Sequence, residues 1–349
     1  MNKKLLALLL AILMVAMSAV AMAQTAATAT LTGLTKVFTT DFSTNDGLAR
    51  IPNETLNFTA TATSLTLPDG TTGSVDQAPQ LTGSIAPSGL SNTTDAPNAY
   101  TGTFSISTTA AWPSAGIYTY KAVETASNIQ GVTYSTDEIL FEVLVSYVQS
   151  TNADSTTSQS LQVTNIGLKK DTEGNKNGTF TNAYNSGSVK VTKTVSGNAA
   201  SIDDEFNVDV TFEAAEGKVF DANVAVLKNN GTLTQTLSTD KKKITASITV
   251  KHGSEITLSN IPVGTKVTVA ENDTKVNAPE DTDATKYTAT YSGNGAVVSS
   301  AAQTIAITNS RTSSIDTGVT TDSMPYILLM AFVAILAVAF VAKKRSVKE

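Results

Sequence analysis

The sequence contains no cysteine and a single histidine among 349 residues, and only 15% of its residues are charged. Without cysteine, no disulfide can reinforce the fold, and with one histidine there is no cluster of soft metal ligands. The net charge of -6, with no stripe of basic residues, does not fit a nucleic-acid-binding surface. The composition therefore predicts no metal, no cofactor and no nucleic-acid partner, and any covalent reinforcement must be of another kind.

Both ends of the chain carry targeting patterns. A basic start and an apolar run lead to the small-x-small pattern Ala21-Met22-Ala23, which predicts a cleaved signal peptide over residues 1–23. Near the other end, the uncharged run 324–342 is long enough to cross a bilayer, and the basic cluster 343–345 follows it. An ordinary single-pass membrane protein would share this topology.

The tetrapeptide Ile315-Asp316-Thr317-Gly318 lies just before the apolar run. A Thr-Gly pair followed by a polar spacer, an apolar span and a basic stop resembles the sorting signal of sortases, which transfer the threonyl group to an amine. The resemblance implies cleavage between Thr317 and Gly318, with residues 313–349 as the sorting signal. Asp316 stands where such signals usually have proline, which leaves the identity of the sortase open.

The region between the ends is predicted to be strands. Short runs rich in Val, Ile, Thr, Tyr and Phe alternate with turn signals such as Pro68-Asp69-Gly70 and Asn177-Gly178. The region is too long for one β-sandwich of about 100 residues. We therefore predict an all-β chain with two β-sandwich domains in series, at 24–185 and 186–312. The stretch 60–100, rich in Thr, Ser and Pro, is left open as an insertion or as mobile loops.

In several of these strands, polar residues occupy positions whose side chains should face the core. Alternate residues of a strand face the same side, so a polar residue two positions from apolar ones is expected to point inward with them. This alternation predicts one inward-facing lysine, glutamate and asparagine in each domain: Lys36, Glu124 and Asn182 in the first, and Lys193, Glu271 and Asn309 in the second.

Isolated buried charges cost several kcal/mol each unless they are paired. A satisfied ion pair with a spectator asparagine, or a lysine that extends to water, would explain one such set. Two sets in the same order favour a shared chemical role. The segment that ends at Glu271 also echoes the segment that ends at Glu124.

These motifs resemble a known family. The pattern Gly-x-Tyr-x-Tyr-x-x-x-Glu at 116–124, with the segment 131–137, resembles the pilin isopeptide-linkage domain of streptococcal backbone pilins. The segment 191–197 resembles the first strand of a Cna-B-type domain, and Ile307-Thr308-Asn309 is similar to the family's ending. The resemblance implies two Ig-like β-sandwich domains in series, flanked by an N-terminal signal peptide and a C-terminal transmembrane sorting helix.

The resemblance also implies a chemical role for the inward residues. Burial favours the neutral forms of amine and carboxylic acid, and a neutral lysine could attack the asparagine amide and release ammonia. The implied cross-links join Lys36 to Asn182 and Lys193 to Asn309. Glu124 and Glu271 would be catalytic in a single autocatalytic turnover, so the protein would not be an enzyme on an external substrate.

As a function, the resemblance implies the shaft subunit of a covalently polymerised, cell-wall-anchored surface pilus. Its precursor would span the membrane transiently. The implied partners are other copies of the chain, minor or tip pilins, a class C-type pilus sortase, a housekeeping sortase and peptidoglycan. Lys176 is the predicted acceptor of another subunit's Thr317, with Lys169 and Lys170 as competitors. A wall-anchored monomeric adhesin or minor pilin that binds a host ligand is the alternative.

Overall fold

The computed structural model describes residues 25–41, 51–93, 96–151, 157–170, 174–277, 285–313 and 324–346. The predicted signal peptide and the predicted cleavage residues Thr317 and Gly318 lie outside these residues.

The N-terminal unit, as we call the strands before Asn185, forms one sheet of eleven strands within the described residues. The strands are β1 (Ala26–Thr40), β2 (Leu56–Thr66), β3 (Thr72–Gly73), β4 (Leu81–Ile85), β5 (Ser91–Thr93), β6 (Ala96–Ala111), β7 (Gly116–Thr125), β8 (Val132–Thr133), β9 (Ile139–Thr151), β10 (Thr157–Leu168) and β11 (Thr179–Tyr184). A short 3-10 turn covers Pro87–Gly89. The region 60–100, which the sequence left open as an insertion or mobile loops, contributes strands to the sheet in its described part.

This sheet folds into two facing layers. Its main path runs β10-β9-β7-β2-β4-β6-β1-β11-β8, and the step from β4 to β6 depends on the single residue pair Thr82 and Ser107. Phe58 on β2 stacks on Phe104 on β6 with ring centroids 4.1 Å apart, which brings the two parts of the path face to face. Trp112 is fully buried in the same core, edge-on to Tyr118.

The C-terminal unit, as we call the strands from β12 onward, has two sheets. The strands are β12 (Ser186–Ser196), β13 (Glu205–Glu213), β14 (Leu227–Lys228), β15 (Gly231–Thr232), β16 (Gln235–Leu237), β17 (Lys243–Lys251), β18 (Glu255–Pro262), β19 (Lys266–Glu271), β20 (Val276–Asn277), β21 (Tyr287–Ser292), β22 (Ala296–Val297) and β23 (Gln303–Ser310). One sheet has the order β15-β14-β18-β12-β23-β21-β20 and the other β16-β17-β13-β19-β22. The strands of both sheets alternate buried residues with exposed or half-buried ones, as strands with one core face should. The prediction of an all-β fold is confirmed.

The two units share one topological feature. The first strand of each pairs in parallel with its last strand, β1 with β11 and β12 with β23. The chain changes from one sheet to the next at Asn185, the single residue between β11 and β12. Each unit has its own core of buried apolar residues, and the first ends in sequence at Tyr184 while the second begins at Val189.

The described C-terminal residues form the helix α1 (Met324–Ser346). Its large apolar side chains, such as Ile327, Leu336 and Phe340, are exposed. Within the described residues, no helix combines the length and the apolar character needed to cross a membrane. The transmembrane role of this segment therefore stays a prediction.

Candidate functional site

Three buried polar side chains meet inside the N-terminal unit. Lys36 on β1 lies opposite Phe180 on the parallel strand β11, so Asn182, two residues further on, lies on the same face. Glu124 extends from β7 in the opposite layer. The exposed fractions of Lys36, Asn182 and Glu124 are 0%, 1% and 8%. The alternation of the strands thus brings together the three residues that the sequence singled out.

The three side chains form a closed ring of short hydrogen bonds. Lys36 Nζ donates to Glu124 Oε2 at 2.6 Å and to Asn182 Oδ1 at 2.6 Å. Asn182 Nδ2 donates to the other carboxylate oxygen, Glu124 Oε1, at 2.7 Å. One carboxylate therefore contacts both nitrogen atoms, the amine on one side and the amide on the other.

A fourth group, the main-chain N–H of Ser135, completes this arrangement. It donates to Asn182 Oδ1 at 2.7 Å, so this carbonyl oxygen accepts two hydrogen bonds. Ser135 lies just after β8, which pairs with β11 beside Asn182. Sequence reasoning missed this group, because every residue except proline has a main-chain N–H and no side-chain pattern marks the one that is used.

Aromatic side chains lie beside the N-terminal site, since Phe180 is opposite Lys36 and Phe58 is opposite Glu124 in the strand register. Phe58 and Phe180 lie with ring centroids 5.0 Å apart, and Phe104 packs on both. Burial lowers the pKa of Lys36, and the hydrogen bond and negative charge of Glu124 oppose this effect only in part. The neutral amine is therefore more accessible here than for a lysine in water.

The C-terminal unit repeats the placement. Lys193 on β12 lies opposite Ile307 on β23, so Asn309 again lies two residues beyond the lysine's partner. Lys193 Nζ contacts Glu271 Oε1 at 2.6 Å and lies 4.4 Å from the centre of the Phe206 ring. Glu271 ends β19, which belongs to the opposite sheet. Burial lowers the pKa of Lys193, against the hydrogen bond and charge of Glu271.

The two sites differ at the asparagine amide. Asn309 is fully buried, and in the described part of the chain neither Nδ2 nor Oδ1 has a hydrogen-bond partner. The second carboxylate oxygen, Glu271 Oε2, is also buried without a partner there. In the N-terminal site the corresponding atoms are all engaged. The structure therefore brings Lys193 and Glu271 into contact but gives the amide of Asn309 no hydrogen bond to either of them.

The three lysines proposed as acceptors have different environments. Lys176 is exposed in the segment that leads into β11. Lys170 is also exposed, whereas Lys169 is half-buried, with its amine 3.0 Å from Glu142 and within hydrogen-bond distance of Thr119. An acceptor must present its amine to another molecule, which favours Lys176 and Lys170 over Lys169.

The described residues contain no group of three or more His, Cys, Asp or Glu residues that could hold an ion.

A family model described as a domain of unknown function, DUF7601, matches residues 187–311, which lie in the C-terminal unit. No curated protein matches the sequence at a significant level.

Among solved structures, the chain is similar to a major pilin of Streptococcus pyogenes, with 23% identity and a TM-score of 0.47 over 80% of this chain and 98% of that chain. A second major pilin of this species has 21% identity and a TM-score of 0.46, covering 83% and 99% of the two chains. A third has 20% identity and a TM-score of 0.46, covering 81% and 98%.

Proposed function

We propose that this chain is the shaft subunit of a covalently polymerised, cell-wall-anchored pilus. Its two Ig-like domains, 24–185 and 186–312, are each closed by an isopeptide bond between a lysine and an asparagine. The observation that carries the proposal is the buried ring of Lys36, Glu124 and Asn182. The placement of Lys193 and Asn309 in the same strand register, with Glu271 against the lysine, supports it.

The geometry of the N-terminal site supports a specific reaction. Neutral Lys36 Nζ attacks Cγ of Asn182, and negative charge develops on Oδ1, where the Ser135 N–H already donates. Glu124 Oε2 takes a proton from Nζ, and the carboxyl group returns a proton through Oε1 to Nδ2. The Cγ–Nδ2 bond then breaks and ammonia leaves. The carboxyl group ends unchanged, and one amide bond has replaced another.

Two features of the site favour this reaction. The amine and the amide are held in contact by adjacent strands, which removes most of the entropic cost of bringing them together. Both groups are shielded from water, so no hydration shell competes for the lysine and no water attacks the carbonyl. In the C-terminal site Lys193, Glu271 and Asn309 take the same roles.

The positions of the bonds suit a fibre under tension. Each bond joins the first strand of a domain to the last, and Lys36 and Asn182 are 146 residues apart in sequence. Force that enters through one terminal strand passes directly to the other, so the strands between them carry little of it. The bond also restricts the unfolded chain, by about 5 kcal/mol in the loop-closure description.

The assembly step rests on the sorting signal and on an exposed amine. A pilus sortase would cleave between Thr317 and Gly318 and transfer the Thr317 carboxyl group to Lys176 of another copy. This head-to-tail contact does not close on itself and gives a filament. A housekeeping sortase would join the last subunit to peptidoglycan, and minor or tip pilins would complete the fibre. The precursor would be secreted and would span the membrane only transiently.

Mass spectrometry of the folded protein tests the proposal. The intact mass of residues 24–317 should fall short of the sequence mass by two molecules of ammonia, and digestion should give cross-linked peptides that contain Lys36 with Asn182 and Lys193 with Asn309. A mass that equals the sequence mass would refute the chemistry.

Surface extracts test the assembly. If extracts boiled in detergent show a ladder of covalent oligomers, the shaft assignment is supported. If the chain occurs only as a wall-linked monomer, the alternative of a monomeric adhesin or minor pilin is favoured.

A further inference from the structure

The 126–135 segment connects two groups of the N-terminal site. It begins just after Glu124 at the end of β7, and it ends at Ser135, whose N–H donates to Asn182. Between these points the only regular structure is β8, which has two residues and two pairs with β11. The residues just after β7 are exposed. Within its own unit, the segment therefore has few strand pairings, although the side chains of Ile129, Val132 and Tyr134 are buried in the core.

The C-terminal unit holds the middle of this segment. Gln130 N donates to the carbonyl oxygen of Val219 at 2.8 Å, and Val219 N donates to that of Asn128 at 3.0 Å. The Asn128 side chain donates to Gly217 O at 3.2 Å. Val219 also packs against the core of the N-terminal unit, although it belongs to the other unit by sequence.

The side chain of Gln130 joins two loops of the C-terminal unit. Its exposed fraction is 4%. Nε2 donates to the carbonyl oxygen of Val263 at 2.6 Å, and Oε1 accepts from the N–H of Ala215 at 2.9 Å. Gly264 leaves room for this amide, because a Cβ there would lie 2.5 Å from Nε2. Both hydrogen-bonding ends of a buried side chain from one unit are thus used by the other.

We propose that docking of the C-terminal unit on the 126–135 segment positions Glu124 and the Ser135 N–H for the reaction of Lys36 with Asn182. Gln130 is the positioning residue. The proposal rests on the isopeptide chemistry proposed above and adds a dependence between the units, since the first bond would form efficiently only when the second unit has folded and docked.

The physical reason is the sensitivity of the reaction to geometry. A displacement of about 1 Å in a reacting group can slow a reaction about a hundredfold. A segment with few strand pairings opens locally more often than the core strands around it. When the C-terminal unit fixes Gln130, the residues on both sides of it lose this freedom, and the proton relay and the N–H donor stay aligned.

The test compares Gln130→Ala with Gln235→Ala in the full mature chain. Gln235 is a matched control, because its amide also makes two main-chain hydrogen bonds, to Val224 O and from Val226 N, but both lie inside the C-terminal unit. Denatured chains that carry no cross-link are refolded, and peptide mapping follows the 36–182 and 193–309 bonds over time. Emission from Trp112, the single tryptophan and fully buried in the first core, reports folding of the N-terminal unit.

We expect Gln130→Ala to slow the 36–182 bond about tenfold or more while the 193–309 bond forms at its normal rate, since two hydrogen bonds are lost. Gln130→Glu, which places a carboxylate oxygen against the Val263 carbonyl oxygen, should not recover the rate, and Gln235→Ala should leave the 36–182 bond unchanged. A merely structural role would lower the melting temperature without this selective effect.

The outcomes separate this proposal from the function on which it rests. If the wild-type chain forms neither bond, the isopeptide chemistry itself fails. If it forms both, and Gln130→Ala reaches native Trp112 emission and forms the 36–182 bond at the normal rate, the positioning role alone is refuted. If Gln130→Ala does not fold, Asn128→Ala, which removes one exposed hydrogen bond, decides by the same criterion with a smaller expected effect of about twofold.

Discussion

Replacement of Glu124 by Gln tests the central chemistry with the smallest change of shape. The carboxylate now contacts Lys36 Nζ and Asn182 Nδ2 at 2.6 and 2.7 Å, one with each oxygen. Glutamine keeps the size and can still make hydrogen bonds, but it cannot accept the amine proton and return one to the leaving nitrogen. We expect the variant to fold without the first bond and to retain the second.

The size of the effect follows from the position of the bond. Loss of a cross-link between residues 146 positions apart removes about 5 kcal/mol of stabilisation. For a domain of about 150 residues, a change of this size corresponds to roughly 10 to 20 °C in Tm. A single lost hydrogen bond would cost only about 1 kcal/mol. The two explanations therefore predict clearly different melting temperatures.

The assay combines intact mass with thermal unfolding, and Glu271→Gln serves as the matched variant in the other site. Each variant should weigh one ammonia more than the wild type, apart from the substitution itself, and each should lose its own cross-linked peptide. If Glu124→Gln keeps the full ammonia deficit, the proton relay is wrong. If the deficit is kept but Tm falls by a few degrees, Glu124 has a structural role only.

Three further predictions address separate parts of the molecule. Ser135→Pro removes the main-chain N–H that donates to Asn182 and should slow formation of the 36–182 bond about a hundredfold. Ser135→Ala is the control, because it also loses the hydroxyl contact with Asp137 but keeps the N–H, and its rate should be normal. Equal rates for the two variants in peptide mapping would exclude a role of this N–H in the reaction. Lys176→Arg should abolish the covalent ladder in boiled surface extracts, and a ladder that survives would move the acceptor to Lys170 or Lys169. In Glu124→Gln, the free energy of unfolding measured with urea should rise with pH up to about 10.5, because burial lowers the pKa of Lys36 in the folded state and the unfolded chain binds more protons. The cross-linked wild type lacks this contribution. If the stability of the variant does not change with pH, the lowered pKa of Lys36 is contradicted.

Much of the candidate site could be predicted because strand alternation is a strong constraint. Once Lys36 is placed in phase with Leu34 and Phe38, its side chain must enter the core, and all three residues are buried in the structure. The all-β character follows from the same patterns. Which strands pair could not be read in this way, because the parallel pairing of β1 with β11 joins residues far apart in sequence.

Other features are invisible to side-chain patterns. The hydrogen bond from Ser135 comes from a main-chain group, and its direction depends on the path of the segment after β8. The contacts of Gln130 depend on how the two units meet, and the glutamine gives no signal of this in sequence. Strand alternation also predicts equivalent positions for Asn182 and Asn309. Their hydrogen bonding differs, because it depends on interatomic distances that the strand register does not determine.

The difference between the two asparagines predicts an order of events. A buried amide without hydrogen bonds costs about 1 to 3 kcal/mol for each unsatisfied group. The reaction removes Nδ2 of Asn309 as ammonia and so relieves part of this cost in the C-terminal site. In the N-terminal site both polar atoms of the Asn182 amide are hydrogen-bonded before the reaction, so the loss of ammonia relieves no comparable cost there.

The N-terminal site therefore has less to gain from the reaction, and it depends on alignment that the docked C-terminal unit supplies through Gln130. Both arguments place the 193–309 bond before the 36–182 bond. Time-resolved peptide mapping of refolding wild-type chains should detect molecules with the second bond alone, and molecules with the first bond alone should be rare. Accumulation of chains that carry only the 36–182 bond would show that neither the unsatisfied amide nor the docked unit sets the order.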